Sequence, residues 1–379
     1  MKRTIVKLLV LTFSVMMVIT GCQKETFKVY AWLEGKVDMP QDELENYFKK
    51  AAETGIEGIL IECHGGYPVI LQDSSSFRDS AALVILRNAA VYAKKYGVEL
   101  HAWMWSTNRC EANLRELHPD WYQVNGLGQN VATDVKLYNR EHYRFLCPSH
   151  EESVEYLKDR VRELAEVDGL TGIHLDFIRY PDAILPYGLH ESRGVVQDKV
   201  YPLWDCCYCD VCRAKFKEQT GKDPLELEDP TSDEQWMQFR WDAIANMASE
   251  VCAEIKKCGK VSSAAVFASP EESKKLVRQD WVNFRNADYL FPMIYHHSYA
   301  KPDEWVGTAT QEGIEALKEA GNPAVLYSGI TMPKAEDIPM FVQIVKDAGG
   351  KGICFFQLKR TLKHPELWDA IAAIDRTMK

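Results

Sequence analysis

The chain has 379 residues and a formal charge of −10, with 45 Lys and Arg against 55 Asp and Glu. That length suits two average domains or one large barrel, and the acidic balance leaves nucleic acid outside the expected partners. An apolar fraction of 46%, with 11% aromatic and 26% charged residues, belongs to a globular core and excludes disordered and multi-span membrane chains.

Lys2, Arg3 and Lys7 open the chain, and an apolar run from Leu8 to Ile19 follows. The run is too short to cross a ~30 Å hydrocarbon core as a helix and reads as a secretory signal peptide. It ends in Ile19-Thr20-Gly21-Cys22, which resembles the bacterial lipobox, where the cysteine after the small pair becomes a lipid-bearing N-terminus. Residues 1–21 are therefore expected to be an address, and residues 22–379 one mature domain in the cell envelope, anchored by lipid on Cys22 at the outer membrane. Losing residues 1–21 removes three positive charges and no negative ones, which leaves −13.

Eight short β-rich runs follow in the mature chain: residues 27–32, 58–63, 98–105, 172–178, 261–267, 288–295, 324–330 and 352–358. Amphipathic stretches such as DELENYFKKAAETG and HEESVEYLKDRVRELAE separate them, several closing on a glycine of the kind that ends helices. Strand and helix in alternation predict a parallel sheet, and eight units predict a (β/α)₈ barrel. Such barrels need about 250 residues, so the surplus is assigned to an insertion over roughly 183–231, after the fourth strand. No glycine-rich phosphate loop follows a strand, which argues against a nucleotide-binding open sheet.

Barrel enzymes carry their chemistry at the C-terminal ends of the strands. Glu34 follows the first strand; Glu62 and His64 end the second; His101, Trp103 and Trp105 alternate along the third. His174, Asp176, Arg179 and Tyr180 lie on or after the fourth, and Tyr295 and His296 after the sixth. Alternation puts His174 and Asp176 on one face, expected to point into the barrel mouth. Asp176 stands out, because a carboxylate inside an apolar run is costly to bury unless it is paired or working. His64, His101 and His296 are expected to bond substrate or a carboxylate, since no histidine pair has helical metal spacing.

The stretch from Arg144 to Pro181, RFLCPSHEESVEYLKDRVRELAEVDGLTGIHLDFIRYP, resembles the glycosyl-hydrolase-like family 10 proteins, bacterial barrel lipoproteins with the pattern "DPxHPEVRxYL" leading to "DGIHLDYIRYP". HAWMW, QFRWDAIANM and DYLFPMIY resemble further segments of that family. The resemblance implies a (β/α)₈ glycoside hydrolase with Asp176 as a catalytic carboxylate and a glycan as substrate. Cys147 departs from it, standing where the family has Asp or Asn. Glycoside hydrolysis needs two carboxyl groups, and the seventh run offers none; Glu62 is the first choice of partner, then Glu34, then Glu271 or Glu272. Trp103, Trp105, Tyr180, Tyr295, His101, His174, His296, His64, Arg179 and Glu34 are expected to bind the sugar. The competing expectation is a carbohydrate-binding barrel that has lost one acid.

Cys206, Cys207, Cys209 and Cys212 form C-C-x-C-x-x-C, and four thiolates on short loops suit a structural zinc. The C-x-C-x-x-C part resembles the zinc loop of some barrel β-galactosidases, which implies a fourth cysteine from an earlier loop. On that basis the ligands are expected to be Cys110, Cys207, Cys209 and Cys212, with Cys206 as a substitute. Disulfides, among these or with Cys147, are the alternative in an oxidising envelope. No cofactor is expected for catalysis.

Overall fold

The computed structural model describes residues 25–64 and 80–378, apart from the side chains of His64 and Ser80. The signal segment and Cys22 lie outside the described residues. The strands are β1 (Lys28–Leu33), β2 (Gly58–His64), β3 (Glu99–Trp105), β4 (Gly172–Asp176), β5 (Val261–Phe267), β6 (Tyr289–Met293), β7 in two pieces (Val325–Leu326 and Ser328–Thr331) and β8 (Gly352–Phe356). Each pairs in parallel with the next, and β8 pairs with β1 from Lys28–Gly352 to Trp32–Phe356, so the sheet closes into an eight-stranded barrel.

Period-two alternation decides what each strand residue meets. Val29, Ala31 and Leu33 of β1, with Leu100, Ala102 and Met104 of β3 and Ile173 and Leu175 of β4, belong to the cluster that packs on the helices. The intervening Tyr30, Trp32, Leu60, Trp103, Phe291 and Cys354 form a separate cluster inside the barrel. Bulk here depends on a glycine opposite. A Cβ on Gly329 of β7 would lie 2.7 Å from Cη2 of Trp32, so the indole fills the space that glycine leaves.

The helices around the barrel are α1 (Gln41–Thr54), α2 (Ser80–Tyr96), α3 (Glu151–Ala165), α4 (Asp210–Thr220), α5 (Glu234–Lys257), α6 (Pro270–Val277), α7 (Trp305–Glu319), α8 (Ile338–Asp347) and α9 (Glu366–Ala372). In α1 the buried Leu44, Tyr47, Phe48 and Ala51 recur at helical spacing. The helix ends at Gly55, whose φ of 74° lets its N–H turn back to the carbonyls of Ala51 and Ala52.

The surplus length lies in two places, not one. Residues 177–233, between β4 and α5, are the expected insertion and hold α4. A second excursion of comparable length, residues 106–150, separates β3 from α3. The two pack on each other: Tyr208 N donates to the Val124 carbonyl at 2.8 Å, and Asn125 Nδ2 to that of Leu203 at 3.0 Å. Beneath them Asp205, fully buried, accepts from Arg240 Nη1 of α5 at 2.7 Å, Arg278 Nη2 at 3.0 Å and the Tyr208 hydroxyl at 2.6 Å. This ionic node ties the insertion to the helical layer. No described helix is long and apolar enough to cross a membrane.

Candidate active site

A cavity of about 580 Å³ opens at the C-terminal ends of the strands, and Glu34, Glu62 and Asp176 all line it. Asp176 is the last residue of β4 and is 7% exposed. Trp103 Nε1 donates to its Oδ2 at 3.0 Å and the Phe177 N–H to its Oδ1 at 2.6 Å. The second bond needs an unusual backbone: Phe177 has φ 50°, a left-handed conformation that costs a bulky residue energy and marks a constrained site. The surroundings hold it there, since the Phe177 ring lies 4.5 Å from that of Trp105 and the Arg179 guanidinium sits 4.8 Å over it.

Glu62 occupies the inward position of β2 one step above Leu60, paired in register with Trp103. The register shifts immediately after it, at Cys63, a bulge of the kind that re-aims a side chain at a barrel rim. The chain after β1 also closes tightly on this point, for a Cβ on Gly35 would fall 2.0 Å from the Glu62 carbonyl oxygen. Burial, then the charges of Asp176 and Glu34, push the Glu62 carboxyl up to about 7, while the Trp105 indole opposes the rise. Burial likewise raises Asp176, against the hydrogen bonds from Phe177 and Trp103 and the positive charge of Arg179. Tyr295, which also lines the cavity, stays a hydroxyl because burial and the charge of Asp176 hold it well above its ordinary value.

The structure brings Trp103, Trp105, Arg179, Tyr295, Glu34, Glu62 and Asp176 together on this cavity. Two are held in ion pairs: Lys359 Nζ donates to Glu34 at 2.7 Å, and Arg179 pairs with Asp182 at 3.3 Å. Other expected sugar-binding residues lie elsewhere. His174 does point inward, but below the mouth, fully buried. Its Nε2 accepts from Trp32 Nε1 at 3.1 Å, which places the ring proton on Nδ1, donating to Ser263 Oγ at 2.9 Å. Burial and the neighbouring His101 hold it well below its ordinary value, so it is a neutral support under Trp32. His101 lies one inward step below Trp103, 1% exposed, with Nε2 donating to Glu99 at 3.1 Å near the barrel floor. Tyr180 is 1% exposed and turned away from the cavity toward the cysteines. His296 is buried against Asp303 at 2.9 Å and His297 at 3.1 Å. Glu271 and Glu272 form the first turn of α6 and do not line the cavity. His64 ends β2, and its side chain lies outside the described residues.

Several lining residues were not anticipated. Arg140, His142 and Tyr143 come from the excursion after β3, and Leu185 and Arg193 from the insertion. No local pattern marks them, because the loop path alone brings them to the mouth. Burial and the charges of Arg140 and Arg193 keep His142 below its ordinary value, so the cavity that holds Glu34, Glu62 and Asp176 is lined by cationic groups as well. Phe356 was within reach of the sequence, since strand alternation puts it on the same face as Cys354.

The cysteine group also needs correcting. Cys147, Cys207, Cys209 and Cys212, all buried, present sulfur atoms within 4.8 Å of one another. Cys147 Sγ is 3.5 Å from that of Cys209 and 3.4 Å from that of Cys212. Cys110 is not among them; it sits at the start of the excursion, whereas Cys147, near its end, is held by an N–H bond to the Trp121 carbonyl of the same excursion at 2.7 Å and meets the insertion through its sulfur. Cys206 is buried beside Asp205 and Arg240 and is not part of the group either.

No protein-family model matches the chain, and no curated protein is significantly similar to it. Solved structures share its fold. The glycoside hydrolase domain of PgaB (BpsB) from Bordetella bronchiseptica superposes with a TM-score of 0.63 at 12% identity, covering 93% of this chain and 99% of that one. The catalytic domain of β-amylase from Paenibacillus polymyxa gives 0.64 at 11%, over 92% and 99%. The β-galactosidase from Rahnella sp. R3 gives 0.59 at 12%, over 88% of this chain and 51% of that chain. At such identities the likeness is one of architecture: a (β/α)₈ barrel of the kind glycoside hydrolases use.

Proposed function

We propose that the chain is a glycoside hydrolase that cleaves O-glycosidic bonds of an oligo- or polysaccharide at the mouth of the barrel. The observation that carries this reading is a pair of buried carboxyl groups in one cavity, with the charge of Asp176 raising the cost of ionising Glu62. Glu62, held up to about 7, keeps its proton near neutrality and donates it to the leaving oxygen. Asp176 is the better-stabilised anion, with two hydrogen bonds and the field of Arg179, and acts on the anomeric carbon directly or through a water molecule. Trp105 and Tyr295 supply flat faces for sugar rings, and Trp32, 1% exposed, forms the floor beneath them. Arg140 and Arg193, which have no ion-pair partner among the described residues, favour a glycan bearing carboxylate or other anionic groups. The shared fold with proteins named as a glycoside hydrolase domain, a β-amylase and a β-galactosidase supports the class and says nothing of the sugar. Lipid on Cys22 would hold the enzyme in the cell envelope.

The test is turnover of a panel of neutral and acidic glycans by wild type, Asp176→Asn and Glu62→Gln. Each variant is expected to lose about 10²–10⁴ in kcat with binding retained. Turnover equal to wild type in either variant would remove that residue from the mechanism. Binding without turnover by the wild type on every glycan would make the chain a carbohydrate-binding barrel instead.

A further inference from the structure

The four grouped cysteines come from both long excursions: Cys147 closes the one after β3, while Cys207, Cys209 and Cys212 belong to the insertion after β4. We infer that Cys147, Cys207, Cys209 and Cys212 bind one structural zinc ion as a tetrathiolate, which clamps the two excursions together and sets the wall of the cavity. The inference goes beyond the proposed hydrolase activity and does not depend on it.

Geometry is the first support. Zinc–sulfur bonds of ~2.3 Å in a tetrahedron place the sulfurs roughly 3.8 Å apart. The four sulfurs here lie within 4.8 Å of one another, two of the contacts being 3.4 and 3.5 Å. Cys147 meets two sulfurs at nearly equal distance, an arrangement with a centre, whereas a disulfide joins one pair.

The surroundings suit the charge that results. Binding releases four thiol protons to solvent and leaves a buried group of net charge −2, which needs donors around it. Cys209 stands at the N-cap of α4, an 11-residue helix whose N-terminal end favours negative charge. The Tyr180 hydroxyl, buried and without a hydrogen-bond partner among the described residues, lies within electrostatic reach of Cys147, Cys207 and Cys212. An O–H aimed at thiolates has an acceptor there that neutral thiols supply poorly. Arg240, bonded to the Cys206 carbonyl at 3.1 Å, adds positive charge on the same side.

The consequence for the cavity follows from connectivity. The excursion that ends at Cys147 carries Arg140, His142 and Tyr143, and the insertion held by the other three cysteines carries Asp182, Leu185 and Arg193. Across the seam, the Tyr143 hydroxyl bonds Asp182 and accepts from Arg179 Nη2 at 3.1 Å. Tying the loop bases together fixes the part of the cavity lining that the two excursions supply.

Elemental analysis of the full-length chain, purified without chelator, is expected to find one zinc per chain. Replacement by cobalt(II) is expected to give the intense visible bands and sulfur-to-metal charge transfer of a tetrahedral tetrathiolate. Cys147→Ser should lose the metal or change that spectrum, while Cys110→Ser and Cys206→Ser keep one equivalent. Chelation should speed hydrogen exchange over residues 133–147 and 196–212 and leave the barrel strands protected. The inference is overturned by metal-free protein with free thiols, by a mass showing disulfides among these four, or by unchanged metal content together with an unchanged cobalt spectrum in Cys147→Ser. If Cys147→Ser does not fold, the wild-type cobalt spectrum decides: nitrogen or oxygen ligation would overturn the assignment. Absence of glycosidase activity would leave each of these readouts unchanged.

Discussion

Asp176 and Glu62 were legible in the sequence because both are charged residues inside apolar runs, and the physical penalty for that placement is large wherever the fold puts them. What they do to each other needed the barrel. Glu62 is held up to about 7, so the folded chain keeps a proton that the unfolded chain loses from about pH 4.5 upward. Folding stability therefore falls as pH rises through that window. Glu62→Gln removes this cost and should be more stable than wild type by roughly 1–3 kcal/mol at about pH 8, the advantage vanishing below about pH 4.5, as chemical denaturation at the two pH values would read. The same group should set the alkaline limb of kcat near neutrality. Trp103→Phe deletes the indole bond that stabilises the Asp176 anion, so the acid limb of kcat should move to higher pH, as a pH–rate profile would show. His174 and His101 share the inward face with the working residues, and alternation alone could not separate them. Depth along the barrel separates them: at 0% and 1% exposure both are below the reach of a ligand.

Most strands were readable within a residue or two, since β-branched and aromatic runs bounded by turns have few other ways to satisfy their backbone. The seventh differs: its run is split, with Tyr327 between two short pieces and its ring in the barrel interior. The two excursions were harder. The one after the fourth strand declared itself by length and cysteines, while residues 106–150 carry aromatic and polar residues with no period to distinguish loop from helix. Their union rests on buried polar groups that find partners only across the seam. Asp205 is the clearest case, with Arg240 and Arg278 both bonded to one carboxylate that is fully buried. Asp205→Ala would leave two buried guanidinium groups without their anion, and should cost about 3–5 kcal/mol in a urea titration, more than any exposed pair such as Lys49–Glu53. Gly35→Ala should also destabilise the mouth, because a methyl group would overlap the Glu62 carbonyl; a raised KM with retained secondary structure is the expected outcome.

For the whole molecule, the net charge of −10 does not describe the cavity, which is lined by Glu34, Glu62 and Asp176 together with Arg140, Arg179 and Arg193. Arg140→Ala with Arg193→Ala should raise KM for acidic glycans by about tenfold or more and leave neutral ones nearly unchanged, as parallel kinetics on the two classes would show. The proposed lipid on Cys22 predicts that the full-length chain partitions into detergent and that Cys22→Ser moves it to the aqueous phase. The sequence by itself determined the (β/α)₈ architecture, the strand faces, the signal-like opening and the two carboxylates, because periodicity and burial penalties are local and act before any topology is specified. Only the tertiary structure decided that Cys147 takes the place expected for Cys110, that His101, His174, Tyr180 and His296 stand away from the cavity, and that Arg140 and Arg193 line it together with the acids. Those outcomes depend on where two long loops return, and a loop's return is set by contacts between residues far apart in the chain, which no spacing within either segment encodes.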